Sequence, residues 1–525
     1  MYTFRPLSSL ARSLILSLVE PEPAPHEEAR ITVNPIVSKF ASWYEHLRNA
    51  MQLQEDEVIL RATIERILKR RLLLGGNGEM IAESLVRELL WARYLPENYV
   101  LASTVEKIKE SIDLHLALRI MILRDHRTIP DGVVNEWTYD LMSSDIQYIL
   151  NPKREKEIMA NFMFHVLQDD VFITDDSHET KNAQIFMAVR KAFSRDDLAF
   201  LRYHLFIQYF GKLTPMTLDY TAAHFLTGYH EIIKELDYPL KERIYAYVKK
   251  RTAAFFVLED ILKSNKENLK TVLESEEELE RTVLALCDAR YRSISSKVGR
   301  AIIRSVFFIL LTKVIFAFLV EGTYDRFTYG RIIWVNLILN ISIPPLLMIV
   351  VGLFIRPPGI ENSKMIYHYI TQLLYEENPR LGNKLTTAKK QETSAAFHIA
   401  FNLLWLVAFV LSFGGMIVVL SKFHVNAVSQ FVLIFFLAIV SFLAYRIALI
   451  ANVYRVGDKQ GLLTLLVDFL FMPVIRVGRG LSQNIAKVNF FLFIFDFFIE
   501  APFKSLFAFF DQWFYFLHAK TEELE

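Results

Sequence analysis

The residues best placed to do chemistry are polar groups set inside long apolar runs. Lys313 stands in VFFILLTKVIFAFLV, Asn336 and Asn340 are one helical turn apart in NLILN, and His398 and Asn402 repeat that spacing in HIAFN. A lysine, amides and an imidazole in such surroundings have two uses. They can line a polar path for an ion or small solute, or they can hydrogen-bond one helix to another at about 0.6–2 kcal/mol per contact. Without a visible repeat of transporter halves, the packing use is the expected one. Lys313 is then expected to face its neighbours, with Asn336 or Asn340 as the nearest polar groups.

A second polar set lies near the C-terminus. Asp496, Glu500 and Lys504 follow at i, i+4 and i+8, and Asp511 returns to the same side, in a stretch with 12 Phe among the 27 residues from Phe490 to Phe516. At 100° per residue the four occupy an arc of roughly 80°, a narrow stripe on an otherwise apolar helix. That pattern predicts a helix sunk in the membrane interface, with Glu500 and Lys504 paired; a fifth span is the alternative. An interfacial lipid-modifying enzyme using Asp468, Asp496 or Glu500 is a third functional reading, with no motif behind it.

Familiar catalytic patterns are absent. Gly211-Lys212 lacks the upstream glycine of a P-loop, and Leu213 stands where Ser or Thr would ligate magnesium. Gly75-Gly76-Asn77-Gly78 follows a helix rather than a strand and reads as a turn. No GxSxG elbow, HExxH or kinase signature occurs. His224 and His230 fall on different helical faces, and His224 with Glu231 is too small a set for a metal. Asp169-Asp170 and Asp175-Asp176 flank a short loop that could attract a divalent cation, although such pairs are ordinarily just solvated. No cofactor, metal or catalytic residue is expected, and the protein is expected not to be an enzyme. Its single cysteine, Cys287, excludes an intramolecular disulfide and a Cys-rich zinc module.

The elements that must carry these groups are helices. The chain has 525 residues with a formal charge of +1, so neither sign is in excess and nucleic acid is not an expected partner. Hydrophobic residues reach 53%, above the roughly 45–50% of a soluble domain, while charged residues still make up 22%. The mixture predicts an all-α protein with a soluble part and a polytopic membrane part. Residues 1–34 form a short apolar helix at 6–19 and a Pro/Glu-rich linker. Residues 35–290 carry apolar residues at three- and four-residue steps and read as a soluble helical domain. Its one β-like stretch is Val171–Thr174, and capping boxes are expected at Ser103, Ser194 and Ser275.

Residues 291–455 hold four spans, at about Val298–Val320, Ile332–Ile355, Ala395–Leu420 and Val425–Ile450. Twelve Lys/Arg flank the spans on the side of the N-terminal domain and the 356–394 loop, against three on the other side. That asymmetry puts the N-terminal domain in the cytoplasm, in what is expected to be a bacterial inner membrane. Residues 456–525 are expected to form interfacial amphipathic helices and an acidic tail; 461–475 is too short to span once Pro473 is counted. The functional expectation is a membrane-anchored scaffold that recruits a protein partner to the lipid bilayer. A small channel or transporter is the alternative.

Overall fold

Helix starts follow side-chain caps. Asn77, Ser177, Asp197 and Ser275 each lie in extended backbone and accept a hydrogen bond from the N–H three residues on. Ser275 thus caps as its sequence predicts, but Ser103 and Ser194 do not. Ser103 already lies inside a helix that begins at Ala102, because the Ala102 N–H is taken by the Ala29 carbonyl at 2.9 Å. Ser194 ends a π-helical turn, and Asp197 itself caps the next helix, its Oδ1 accepting from the Phe200 N–H at 3.0 Å.

The structure is a computed structural model. It describes residues 6–19, 29–35, 37–39, 41–42, 45, 56–73, 75–97, 99–152, 154–264, 269–388, 395–422, 426–457 and 462–487, with a few positions between 506 and 517. The chain divides into two units. One comprises Ser9–Lys249, Asn383–Lys389 and Leu492–Glu525; the other comprises Met1–Ser8, Lys250–Gly382 and Lys390–Phe491.

The first unit holds α1 (Ser9–Val19), α2 (Asp56–Leu72), α3 (Gly78–Trp91), α4 (Ala102–Asp125), α5 (Asp131–Leu150), α6 (Arg154–Leu167), α7 (His178–Val189), α8 (Leu198–Phe210), α9 (Leu218–Leu236) and α10 (Lys241–Lys249). α4 and α5 run between two apolar clusters. Ile108, Ile112, Met142 and Ile146 join Ile64, Leu68 and Leu85 of α2 and α3. Leu118, Ile122, Trp137 and Leu141 join Phe206, Phe225 and Ile232 of α8 and α9. A polar thread crosses between them. Asp145 accepts from Ser111 Oγ at 2.6 Å and from the Tyr203 hydroxyl at 2.7 Å, while His115 Nδ1 donates to the Ser111 carbonyl at 2.8 Å. The β-like stretch forms β1 (Val171–Ile173), whose parallel partner β2 (Leu385–Thr387) comes from far along the chain.

The second unit begins with α11 (Thr252–Ser264) and α12 (Leu269–Glu274) and then α13 (Glu276–Phe316), a 41-residue helix that joins the end of the N-terminal pattern to span one without a break. A π-helical turn, Ala317–Gly322, and α14 (Thr323–Tyr329) extend it. Three more apolar helices follow: α15 (Trp334–Phe354), α17 (Ala395–Lys422) and α18 (Ala427–Ala451), with α16 (Ile360–Tyr375) between the first two. Among the described residues, four helices are therefore long and apolar enough to cross a membrane; each overlaps an expected span, the first within a longer helix that runs from Glu276 to Tyr329.

Hydrogen bonds show how the four alternate in direction. At one end Asn362, which opens α16, donates to the Tyr291 hydroxyl at 2.8 Å and to the Tyr454 carbonyl at 2.7 Å, and accepts from the Val456 N–H at 2.8 Å. This ties the approach to span one, the loop between spans two and three, and the exit from span four. The opposite ends of spans one, two and four meet in the cluster described below. α19 (Leu462–Lys487) departs from expectation by running on through Pro473. It is held by close packing: a Cβ at Gly478 would collide with the Ala438 carbonyl of α18, and Ser412 Oγ of α17 donates to the Leu470 carbonyl at 2.5 Å. A helix embraced this way tolerates the loss of the hydrogen bond that proline cannot make.

Candidate functional site

Lys313 sits on α13 thirteen residues past Arg300, about 20 Å along the axis at 1.5 Å per residue. Its side chain is 0% exposed, and its Nζ lies 2.5 Å from Glu321 Oε1. The other Glu321 oxygen accepts from Asn340 Nδ2 at 2.9 Å and from Ser429 Oγ at 3.1 Å. Phe436 lies beneath the ammonium, 5.2 Å from Nζ to the ring centroid. Spans one, two and four thus each contribute a polar group to one buried knot.

The π-helical turn makes the ion pair possible. Eight residues of regular α-helix would separate Lys313 and Glu321 by about 12 Å along the axis. Inserting Ala317–Gly322 as a π-turn changes both the rise and the angle of Glu321, which is 1% exposed. Pro344 contributes on span two, since it lacks the N–H that would close on the Asn340 carbonyl one turn earlier.

A second carboxylate stands one level further out. Asp325, 3% exposed, accepts from the Ile333 N–H at 3.3 Å and from Asn426 Nδ2 at 3.2 Å. Asn426 also caps α18, its Oδ1 accepting from the Ser429 N–H at 2.8 Å. The loops after spans one and three are therefore joined through one side chain. Chemically the arrangement neutralises a lysine through one oxygen of a carboxylate and fills the other oxygen with two neutral donors. Among the described residues, no three His, Cys, Asp or Glu converge to hold a metal ion.

Of the residues picked from sequence, Lys313 and Asn340 meet in this cluster, joined through Glu321 rather than directly. The expected first neighbour of Lys313 is corrected accordingly: it is neither Asn336 nor Asn340 but Glu321, a buried carboxylate just past the expected end of span one at Val320. Asn336 lies on α15 and His398 on α17, and their side chains fall outside the described residues. Asn402 is exposed on α17. Trp405, one turn further, faces Arg476 of α19 with 5.4 Å from guanidinium to ring centroid. Asp496, Glu500, Lys504 and Asp511 lie outside the described residues, and so does the Asp468 side chain. Glu321, Ser429, Asp325 and Asn426 escaped sequence reading. The available signal was a lone carboxylate two turns after a buried lysine on one helix.

The chain matches no family model, no curated protein and no solved structure.

Proposed function

We propose that this protein is a non-enzymatic membrane-anchored scaffold, whose N-terminal helical unit lies in the cytoplasm of a bacterial cell and recruits a protein partner to the inner membrane. The observation that carries this reading is the closure of the intramembrane polar set. Lys313 and Glu321 are 0% and 1% exposed and satisfy one another, and Asn340 and Ser429 bond to the same carboxylate, so the polar groups of spans one, two and four are used in holding helices together. The twelve-to-three Lys/Arg asymmetry supports the orientation. On this reading α19, packed on spans three and four, adds to the anchor.

The alternative, a small channel or transporter, draws support from one feature. A π-turn places a carboxylate against a buried lysine at a cost that packing alone does not demand. Flux separates the two. Full-length protein in sealed vesicles should pass protons, potassium and small solutes no faster than empty vesicles, while photo-crosslinkers on exposed positions of α9 and α10 in cells should capture one reproducible protein. Flux that disappears in Lys313→Met, at unchanged insertion, would replace the scaffold with the transporter.

A further inference from the structure

The long helix α13 enters the membrane with its cations unevenly matched. Arg290 is held by Asp260 and Arg292 by Asp288, each at 2.5 Å. Beyond Asp288 the chain has no Asp or Glu until Glu321, so Lys297, Arg300 and Arg304 lack an acidic neighbour three or four residues away on their own helix. Among the described residues, no carboxylate from another element pairs with these three either. All three residues are exposed.

Helix geometry gathers them on one face. At 100° per residue, Lys297 and Arg304 lie within about 60° of Arg300. The residues that α13 buries at this level, Ile294, Val298 and Ile309, fall on the opposite side, so the basic stripe points away from the helices packed on α13. Further along, the same outward face continues as Phe307, Leu311 and Ile315, all exposed. Arg304 stands one turn past Arg300, about 6 Å deeper. Side chains of a helix lean toward its N-terminus, and α13 enters the membrane by its N-terminal end. Arg304 can therefore carry its guanidinium back toward the phosphate layer while its stem stays among apolar groups.

We propose that Lys297, Arg300 and Arg304 form a binding site for the phosphate headgroup of an anionic phospholipid, with an acyl chain lying along Phe307, Leu311 and Ile315. Two guanidiniums one turn apart offer forked donors to phosphate oxygens, and the lysine adds a third positive charge. A zwitterionic lipid fits less well, because its own cation meets three that no carboxylate neutralises. The apolar continuation of the face selects a phosphate carried on a lipid over a free phosphate ion, which gains nothing from Phe307, Leu311 or Ile315.

The test is native mass spectrometry of the full-length protein in detergent, titrated with dioleoyl phosphatidylglycerol and, separately, with dioleoyl phosphatidylcholine. Phosphatidylglycerol should bind at least about tenfold more tightly, with each cation contributing about fivefold. Arg304→Gln should therefore weaken it about fivefold, and the triple variant Lys297→Gln, Arg300→Gln, Arg304→Gln should bind both lipids alike, at unchanged unfolding temperature without lipid. Arg292→Gln removes the same charge from the same helix and should leave the preference intact. Inorganic phosphate in tenfold excess should not displace the lipid. Equal affinity of the parent protein for the two lipids overturns the proposal without recourse to any variant. A preference that survives the triple variant, or one that Arg292→Gln lowers as much as Arg304→Gln does, overturns it as well, and displacement by inorganic phosphate would assign the stripe to a free ion instead.

Discussion

Removing one member of the Lys313–Glu321 pair should cost far more than removing both. At 2.5 Å the two charges attract by about 6–7 kcal/mol in a medium of effective dielectric about 20, most of it offset by the loss of hydration. A lone partner keeps the hydration loss and forfeits the attraction, so Glu321→Leu should destabilise by about 3–5 kcal/mol. It leaves Lys313 facing the Phe436 ring among the described residues. Lys313→Met should cost about 1 kcal/mol less, because Glu321 retains its hydrogen bonds to Asn340 and Ser429. The double variant should return to within about 1 kcal/mol of the parent, giving a coupling of at least about 4 kcal/mol. Reversible unfolding of the four proteins in one mild detergent, titrated with SDS, measures all the corners of this cycle. Additive single effects, or a double variant worse than either single, would show that lysine and glutamate are solvated separately and that the knot is not what joins the spans.

Other outcomes follow from particular contacts. Reporter tags inserted after Gly330 and near Asn426 should register on the same side of the membrane, because Asp325 and Asn426 join those loops, and tags at Lys384 and beyond Arg455 should register on the other; tags after Gly330 and Asn426 on opposite sides would break the four-span arrangement. Gly478→Ala should separate α18 from α19 and cost about 2 kcal/mol or more, whereas Gly480→Ala, whose added Cβ meets nothing, should change the unfolding midpoint little. Burial holds His115 below its ordinary pKa of 6.5 against the opposing pull of Asp145. The unfolded chain therefore binds a proton that the folded one refuses, and stability should be flat above about pH 6.5 and fall as pH drops below it. Hydrogen exchange of α4 and α5 amides should accelerate between about pH 7 and about pH 5.5, and His115→Asn should flatten that dependence.

How much of this was legible in sequence depends on the range of the interaction. The four spans could be read directly, because a continuous apolar run of that length has few other uses and its ends are set by charge. Apolar spacing likewise announced the helices of the N-terminal unit, and Ser275 announced its own helix start. Lys313 and Asn340 were identifiable as groups needing partners, since apolar surroundings penalise them wherever the helix points. Their actual partners were not, because Glu321 reaches Lys313 only through a π-turn and Ser429 reaches Glu321 only across two helices. Neither has a sequence spacing that a regular period would reveal. The parallel partner of Val171–Ile173 was equally invisible, lying more than two hundred residues on at Leu385–Thr387. Ser194 marks the boundary most sharply. Its sequence made it a helix cap, but tertiary packing drew it into a π-turn and gave the cap to Asp197. Local periodicity and apolar length thus determined which segments are helices and which can cross a membrane. Which buried polar groups satisfy each other was decided by packing, because that depends on distances between segments that no period along the chain encodes.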